Sequence, residues 1–249
     1  MNFSEYRNDA MESAIPISVP LSLRLSGSAL KIIAVLSMIA DHCAYFLLGQ
    51  GDPLYEPLRC LGRISFPVFA FLVAEGFAHS CNRMRYFLML LGFGIISELP
   101  WYLLNGFDGT HNVMFTLALG VVALALFDRL CEHGPLSFIS VSLIAVAAWW
   151  FGTDYDWRGV AMIVLFYILR FNTINPWLER RHICFPSQAL LQIIFTFPLM
   201  AHYGVAGAVL ASVVIFLYDG SRGFILGKIA KYAFYAVYPV HLLLISVCI

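Results

Sequence analysis

Four residues have the chemistry of a reaction centre in places where charge is hardest to keep. Asp41 and His42 are neighbours inside the apolar run LKIIAVLSMIADHCAYFLLG (30–49), Glu98 lies in ISELPW, and His241 lies in YPVHLLLI. A charged residue at the centre of a spanning helix costs roughly 2.5–3.5 kcal/mol, whereas interhelical hydrogen-bond glue returns only about 0.6 kcal/mol. An imidazole titrates near neutrality, so His42 or His241 could serve as general base, nucleophile or proton relay, with Asp41 or Glu98 as partner. Adjacent helical residues point about 100° apart, so Asp41 need not touch His42 and could pair with Arg63 or another cation. Further polar residues open the neighbouring runs: Arg63 in LGRISFP, Asn112 in HNVMFT, and Asp156 and Arg158 in TDYDWRG. Glu75, in VAEGF, lies further along the run that Arg63 opens and could face a cytosolic ligand or a basic loop residue.

The elements that hold these residues follow from composition. The chain has 249 residues, of which 61% are hydrophobic and 12% charged, about half the charge of a soluble domain. Apolar runs of helical length predict nine spans, near 30–48, 62–79, 86–104, 113–130, 136–151, 158–171, 186–201, 204–218 and 229–249. The sixth and eighth are short and could be tilted or re-entrant. The expected fold is an all-α polytopic transmembrane bundle, with residues 1–28 a short tail and 29–249 a single domain. Continuous rather than alternating runs exclude a β-barrel. A net charge of zero gives no basic surface for nucleic acid. The six cysteines lack ligand spacing, which predicts neither a metal site nor a disulfide framework.

Counting basic residues orients the bundle. With the N-terminus cytoplasmic, twelve of the fifteen basic residues fall on the inner side, Arg7, Lys31, Arg83, Arg85, Arg129, Arg180, Arg181, Lys228 and Lys231 among them. Only Arg59, Arg63 and Arg158 fall outside. His42, Glu98 and His241 each lie twelve residues into an outward-running span, about 18 Å from its start at 1.5 Å per residue. The expected arrangement is one polar layer flooring a cavity that opens outward between arginines. Lys31, eleven residues before His42, shares its helix face and could line a path to the layer from the cytoplasm.

The motifs LKIIAVLSMIADH, RCLGRISFPVFAFLVAEGF, ISELPW, HNVMFTLALG, DYDWRGVAMIVLFYILR and KYAFYAVYPVHLLLI together resemble the TraX family, over residues 29–171 and 228–246. That family is named for a conjugative-plasmid inner-membrane protein that acetylates the N-terminus of pilin, and it is similar to integral membrane acyltransferases that use acetyl-CoA. The pattern falls on Asp41, His42, Gly62, Arg63, Phe66, Pro67, Glu75, Glu98, Asn112, Thr116, Tyr238 and His241. One departure stands out: relatives tend to have a small residue after the DY pair, where this chain has Asp156, Trp157 and Arg158.

The resemblance implies a multi-pass protein of the bacterial inner membrane, embedded in the lipid bilayer, that moves an acetyl group from cytosolic acetyl-CoA to an outer acceptor. The acceptor would be a pilin amine or another cell-surface peptide or glycan. Lys31, Arg83 and Arg85 would meet the CoA phosphates. His42 would act as base or acetyl carrier, oriented by Asp41 or Glu98, and Arg63 or Asn112 would stabilise the oxyanion. Glu75, Asp156, Arg158 and Tyr238 complete the expected binding residues, and His241 joins the catalytic layer. The alternative is a proton-coupled transporter that uses His42, Glu98 and His241 as its relay.

Overall fold

The computed structural model describes residues 20, 23–171, 188–225 and 227–249, with the backbone alone of Gln188 and Lys228. Helix follows helix: α1 (Gly27–Leu47), α2 (Tyr55–Gly62), α3 (Ser65–Ala78), α4 (Arg83–Asn105), α5 (Val113–Arg129), α6 (Pro135–Trp150), α7 (Asp156–Phe171), α8 (Gln188–Ala201), α9 (Val205–Phe216) and α10 (Lys228–Cys248). No strand forms among these residues. Each expected apolar run has its helix, and α2 and α3 form one nearly continuous rod, so the second run starts at Tyr55 rather than at 62. The segment YEPLRCLG hid this start, because it is amphipathic rather than apolar. The basic residues Arg7, Arg180 and Arg181 counted above lie outside the described residues.

Local chemistry starts and stops the rods. Ser26 caps α1 by accepting from the Ala29 N–H at 3.3 Å, and Asn82 caps α4 by accepting from the Arg85 N–H at 2.8 Å; each supplies an acceptor for a first-turn donor. Pro135 opens α6, where its missing N–H costs nothing. α4 ends at Gly106, whose φ of 72° is free to glycine and costly to other residues.

Among the described residues four rods are long and apolar enough to cross a bilayer: Gly27–Leu47, Tyr55–Ala78, Arg83–Asn105 and Ile229–Cys248, of 21, 24, 23 and 20 residues. The helices Pro135–Trp150 and Val205–Phe216 are apolar but shorter. α9, with 12 residues, covers only about 18 Å. The interior is built on α3, α5 and α7, with Phe71, Leu124, Ile163 and Phe166 fully enclosed. The outer surface is the reverse of a soluble protein's: Leu36, Ile95, Leu99, Leu143, Val213 and Leu244 all face outward. An apolar belt of this kind belongs against lipid, and the chain is a multi-pass membrane protein.

Short connections gather the helix ends at two poles. At one, hereafter the Lys31 end, Leu25 N–H donates to Leu217 O at 2.8 Å and Gly27 N–H to Ser221 O at 2.8 Å. At the other, the Asp154 end, His111 N–H donates to Gly152 O at 2.9 Å and Asp154 N–H to His111 O at 2.8 Å. Each backbone stitch borders a cavity.

Candidate functional site

Between the poles, α1 and α10 bring two imidazoles into direct contact. His42 Nδ1 lies 2.6 Å from His241 Nε2, with the ring planes 7° from parallel. His241 Nδ1 is 2.9 Å from the Val237 carbonyl. A carbonyl only accepts, so in the neutral pair the His241 hydrogen sits on Nδ1 and Nε2 carries a lone pair. His42 must then donate from Nδ1, which leaves the lone pair of His42 on Nε2. The Val237 carbonyl thus sets the tautomer of both rings. Helix geometry splays the neighbouring Asp41 away from this pair. Its Oδ2 accepts from Arg59 Nη1 at 2.8 Å, while its buried Oδ1 has no hydrogen-bond partner. Arg59 in turn lies over the Tyr45 ring at 4.8 Å.

Two glycines permit this approach. A Cβ on Gly62 would fall within the Asp41 side chain, and one on Gly207 would fall within that of Arg63. Both mark points where a helix lies against a polar side chain with no room for a methyl group. Among the described residues no hydrogen bond or ion pair holds the Arg63 side chain, whose charge acts on Asp154 and Asp41.

A cavity of about 620 Å³ enters from the Lys31 end. Lys31, Arg222 and Lys231 line it beside apolar residues such as Met38, Leu72 and Leu117. Lys31 lies 5.9 Å from the centre of the Phe234 ring and Lys231 5.8 Å from that of Tyr86. The cavity reaches Tyr238, whose ring centre is 5.5 Å from His241 and 6.5 Å from His42. The Tyr238 hydroxyl is buried without a hydrogen-bond partner. A buried, unpartnered hydroxyl beside an imidazole pair is what a site awaiting a polar ligand leaves open. Glu75 also lines the cavity, but its carboxylate is engaged by Arg170, by His79 at 3.7 Å and by the Tyr218 hydroxyl at 3.5 Å.

A second cavity, of about 300 Å³, opens at the Asp154 end between Trp101, Asp154, Tyr155, Asp156, Arg158 and Tyr203. Its wall is a strained turn. Tyr155 and Asp156 have φ of 64° and 41°, a region that costs a non-glycine residue of order 1–3 kcal/mol and persists only when over-determined by its surroundings. The surroundings do so here: the Thr116 hydroxyl donates to the Asp154 carbonyl, the Tyr203 hydroxyl donates to the Tyr155 carbonyl at 3.3 Å, and the Tyr155 ring stacks on Phe66. Asp156 caps α7, accepting from the Arg158 N–H at 2.8 Å and from Arg158 Nη1 at 2.6 Å. Asp154 has no such cation. Enclosure in the bundle pushes its carboxyl up to about 7, against the smaller opposing pull of the Tyr155 N–H and Arg63.

The TraX protein family matches residues 26–248. The chain belongs to the TraX family. The match runs through 173–200, where the motifs above carried no resemblance. The probable fimbrial assembly protein FimC, serogroup H1, of Dichelobacter nodosus is 32% identical over 243 residues, covering 90% of this chain and 96% of that one. The uncharacterized protein RP591 of Rickettsia prowazekii (strain Madrid E) is 24% identical over 149 residues, 59% and 56% of the two chains. No solved structure matches.

In this TraX chain the expected layer divides. His42 and His241 meet, but Glu98 stands apart, accepting from His111 at 3.1 Å and from the Asn112 side chain at 2.7 Å. The partner that orients His42 is therefore His241, not Asp41 or Glu98. Asn112 is a structural joint: its two amide hydrogens go to Glu98 and to Gly94 O at 2.9 Å, and its carbonyl oxygen caps α5 through the Met114 N–H at 3.1 Å. An amide nitrogen with both hydrogens committed has none left for an oxyanion. The outer cavity is lined by none of His42, Glu98 and His241. Arg83 pairs with Asp128 at 2.6 Å and Arg85 donates to the Tyr232 hydroxyl at 3.2 Å; neither lines the inner cavity, where Arg222 and Lys231 stand instead. Asp41 takes Arg59 rather than Arg63. Asp154 was visible in TDYDWRG, yet nothing in the sequence separated it from Asp156 before the Asp156–Arg158 pair was seen. Among the described residues no group of His, Cys, Asp and Glu is arranged to hold a metal.

Proposed function

We propose that this TraX-family protein is an inner-membrane acetyltransferase. It takes the acetyl group of cytosolic acetyl-CoA through the inner cavity and delivers it to an acceptor entering from the opposite face, such as the N-terminal amine of a pilin. The observation that carries this reading is the His42–His241 pair packed beside Tyr238, a residue of the wall of a basic-mouthed cavity, with a second cavity at the other pole. A volume of about 620 Å³ lies within the roughly 300–1,000 Å³ of small-molecule sites. Lys31, Arg222 and Lys231 would hold the phosphates as point charges and a fork, and the apolar wall would take the pantetheine arm. The excess of Lys and Arg over the whole chain supports a cytoplasmic Lys31 end, the side on which acetyl-CoA is found. The fimbrial name of the Dichelobacter relative supports a pilin-related acceptor.

The chemistry follows from the fixed tautomer. The thioester carbonyl lies beside Tyr238 and His42, and the acceptor amine attacks its carbon. His42 Nε2, the free lone pair, takes the proton lost by the attacking nitrogen. His241 accepts from His42 Nδ1 and shares the imidazolium charge with the Val237 carbonyl. Arg63 faces the developing oxyanion, a role worth about 3–4 kcal/mol in a dry site. As the C–S bond breaks, the imidazolium returns its proton to the departing thiolate. A two-step route through acetyl-His42 uses the same atom.

The test is transfer in proteoliposomes. Acetyl-labelled CoA is supplied outside and a peptide with a free N-terminus inside, so only molecules with the Lys31 end outward turn over. CoA release and peptide labelling are followed for wild type and His42→Ala. Labelling lost in the variant supports the reading; a folded wild-type protein that binds no acetyl-CoA overturns it.

A further inference from the structure

Among the described residues Asp154 is the one carboxylate of the outer cavity without an ion pair. Asp156, beside it, is neutralised by Arg158, whereas the Asp154 carboxylate meets only the Tyr155 backbone N–H among the described residues. The charges that face it are Arg63 from the α2–α3 turn, Asp41 from α1 and Asp156 from α7. Trp101, Tyr155 and Tyr203 line the same cavity, with Thr110 and His202. A lone carboxylate set among aromatic rings is a recognition site for a cation, since each ring adds about 0.5–2 kcal/mol to an ammonium held over its face. The turn that holds Asp154 is strained on its far side and pinned at both its N–H and its carbonyl, so the carboxylate is held in position for its ligand.

We propose that Asp154 is the acceptor-side catalytic residue: it binds the acceptor as a protonated primary amine and takes the first of its protons. This rests on the acetyltransferase reading above and restricts its acceptor to cationic amines. The steps balance. The ammonium gives one proton to the Asp154 carboxylate, and the neutral amine attacks the thioester carbon. His42 takes the second proton and hands it to the CoA thiolate. Asp154 then releases its proton through the outer cavity to water. One ammonium and one thioester become one acetamide, one thiol and one proton. Division of labour follows: His42 serves the leaving thiol, and Asp154 the entering amine. The carboxyl's rise to about 7 suits it to exchange a proton with an α-amino group of pKa about 7.7–8.0.

The experiment compares wild type, Asp154→Asn and His42→Ala in proteoliposomes, with acetyl-CoA and a lysine-free peptide of free N-terminus, between pH 6 and 9. A second readout is the binding of the same peptide carrying an N-terminal trimethylammonium, a permanent cation that cannot react. Asp154→Asn is expected to slow labelling about tenfold or more at pH 7, while acetyl-CoA binding is kept. It should recover toward the wild-type rate by pH 9, where the peptide is neutral without help. His42→Ala should show no such recovery. Asp154→Asn should also lose most of the trimethylammonium peptide's binding. An Asp154→Asn protein that matches wild type at pH 7, or that binds the cationic peptide undiminished, overturns the proposal while leaving the acetyltransferase reading intact. A wild-type protein that binds the peptide through Asp154 but no acetyl-CoA overturns the acetyltransferase reading and reduces Asp154 to a cation-binding residue, so the proposed catalytic role falls with it.

Discussion

The two cavities of this protein are opposites in charge and in the way they are built. The inner one is large, apolar along its walls and basic at its mouth, and its cations are Lys31 of α1, Lys231 of α10 and Arg222 of the turn after α9. The outer one has about half the volume, and its charge is a short carboxylate on a strained, stitched turn. Long, flexible cations suit a ligand whose charge is spread over several phosphates, since each adjusts to its own oxygen. A rigid carboxylate suits a ligand whose charge sits at one atom that must also react. The difference is one between holding and aiming.

Substitutions can break that contrast in order of effect. His42→Ala removes the proposed base, which lies between the two cavities, and is expected to cost about 10²–10⁴ in labelling rate, with acetyl-CoA binding and membrane insertion unchanged; a rate within tenfold of wild type would take His42 out of the mechanism. Next come the cations of the inner mouth. Arg222→Ala and Lys231→Ala each remove a charge-assisted contact worth about 1.5–3 kcal/mol, so KM for acetyl-CoA should rise about tenfold or more with KM for the peptide unmoved. A rise in the peptide's KM instead would mean that the two mouths have been assigned the wrong way round.

Gly207→Val tests the scaffold. Its side chain would overlap Arg63 and the Cys60 carbonyl, and overpacking of this kind costs about 1–3 kcal/mol, read as a lower unfolding temperature in detergent. Gly92→Ala, at a helical position with open space around it, should leave that temperature unchanged or raise it slightly.

The smallest effect, and the sharpest, is in pH. Asp154 keeps its proton to about 7 in the fold and only to about 3.9 in the unfolded chain. Between those values the folded state binds more protons, so stability falls as pH rises from about 4 to 7. Labelling should run the other way, rising toward pH 7 as Asp154 ionises. Asp154→Asn should flatten the stability slope; a slope unchanged in that variant would place the titrating group elsewhere.

Several features were legible in residue type and spacing alone. Apolar run length gave the helices, because a segment that leaves water must satisfy its own backbone. The cost of burying charge picked out Asp41, His42 and His241 as residues needing partners. Which partner each takes was not legible, because a linear pattern records depth along a helix far better than rotation about it. Glu98 and His42 lie at matched depth, yet one turns to His111 and the other to His241. Asp41 finds Arg59 because α2, a helix too polar to read as a span, folds back along α1.

The sequence by itself determined that this chain lives in a membrane, that it is helical, and that imidazole and carboxylate lie within its spans. Only the tertiary structure decided that two histidines share one hydrogen bond, that Arg222 and Lys231 rather than Arg83 and Arg85 line the inner cavity, and that Asp156 has an ion pair while Asp154, among the described residues, has none. The physical reason is one of range. Hydrophobic transfer and helix propensity act residue by residue and are written along the chain. Hydrogen bonds and ion pairs depend on ångström distances between helices, and those are fixed only when the small residues at the crossings, Gly62 and Gly207 among them, let the helices close.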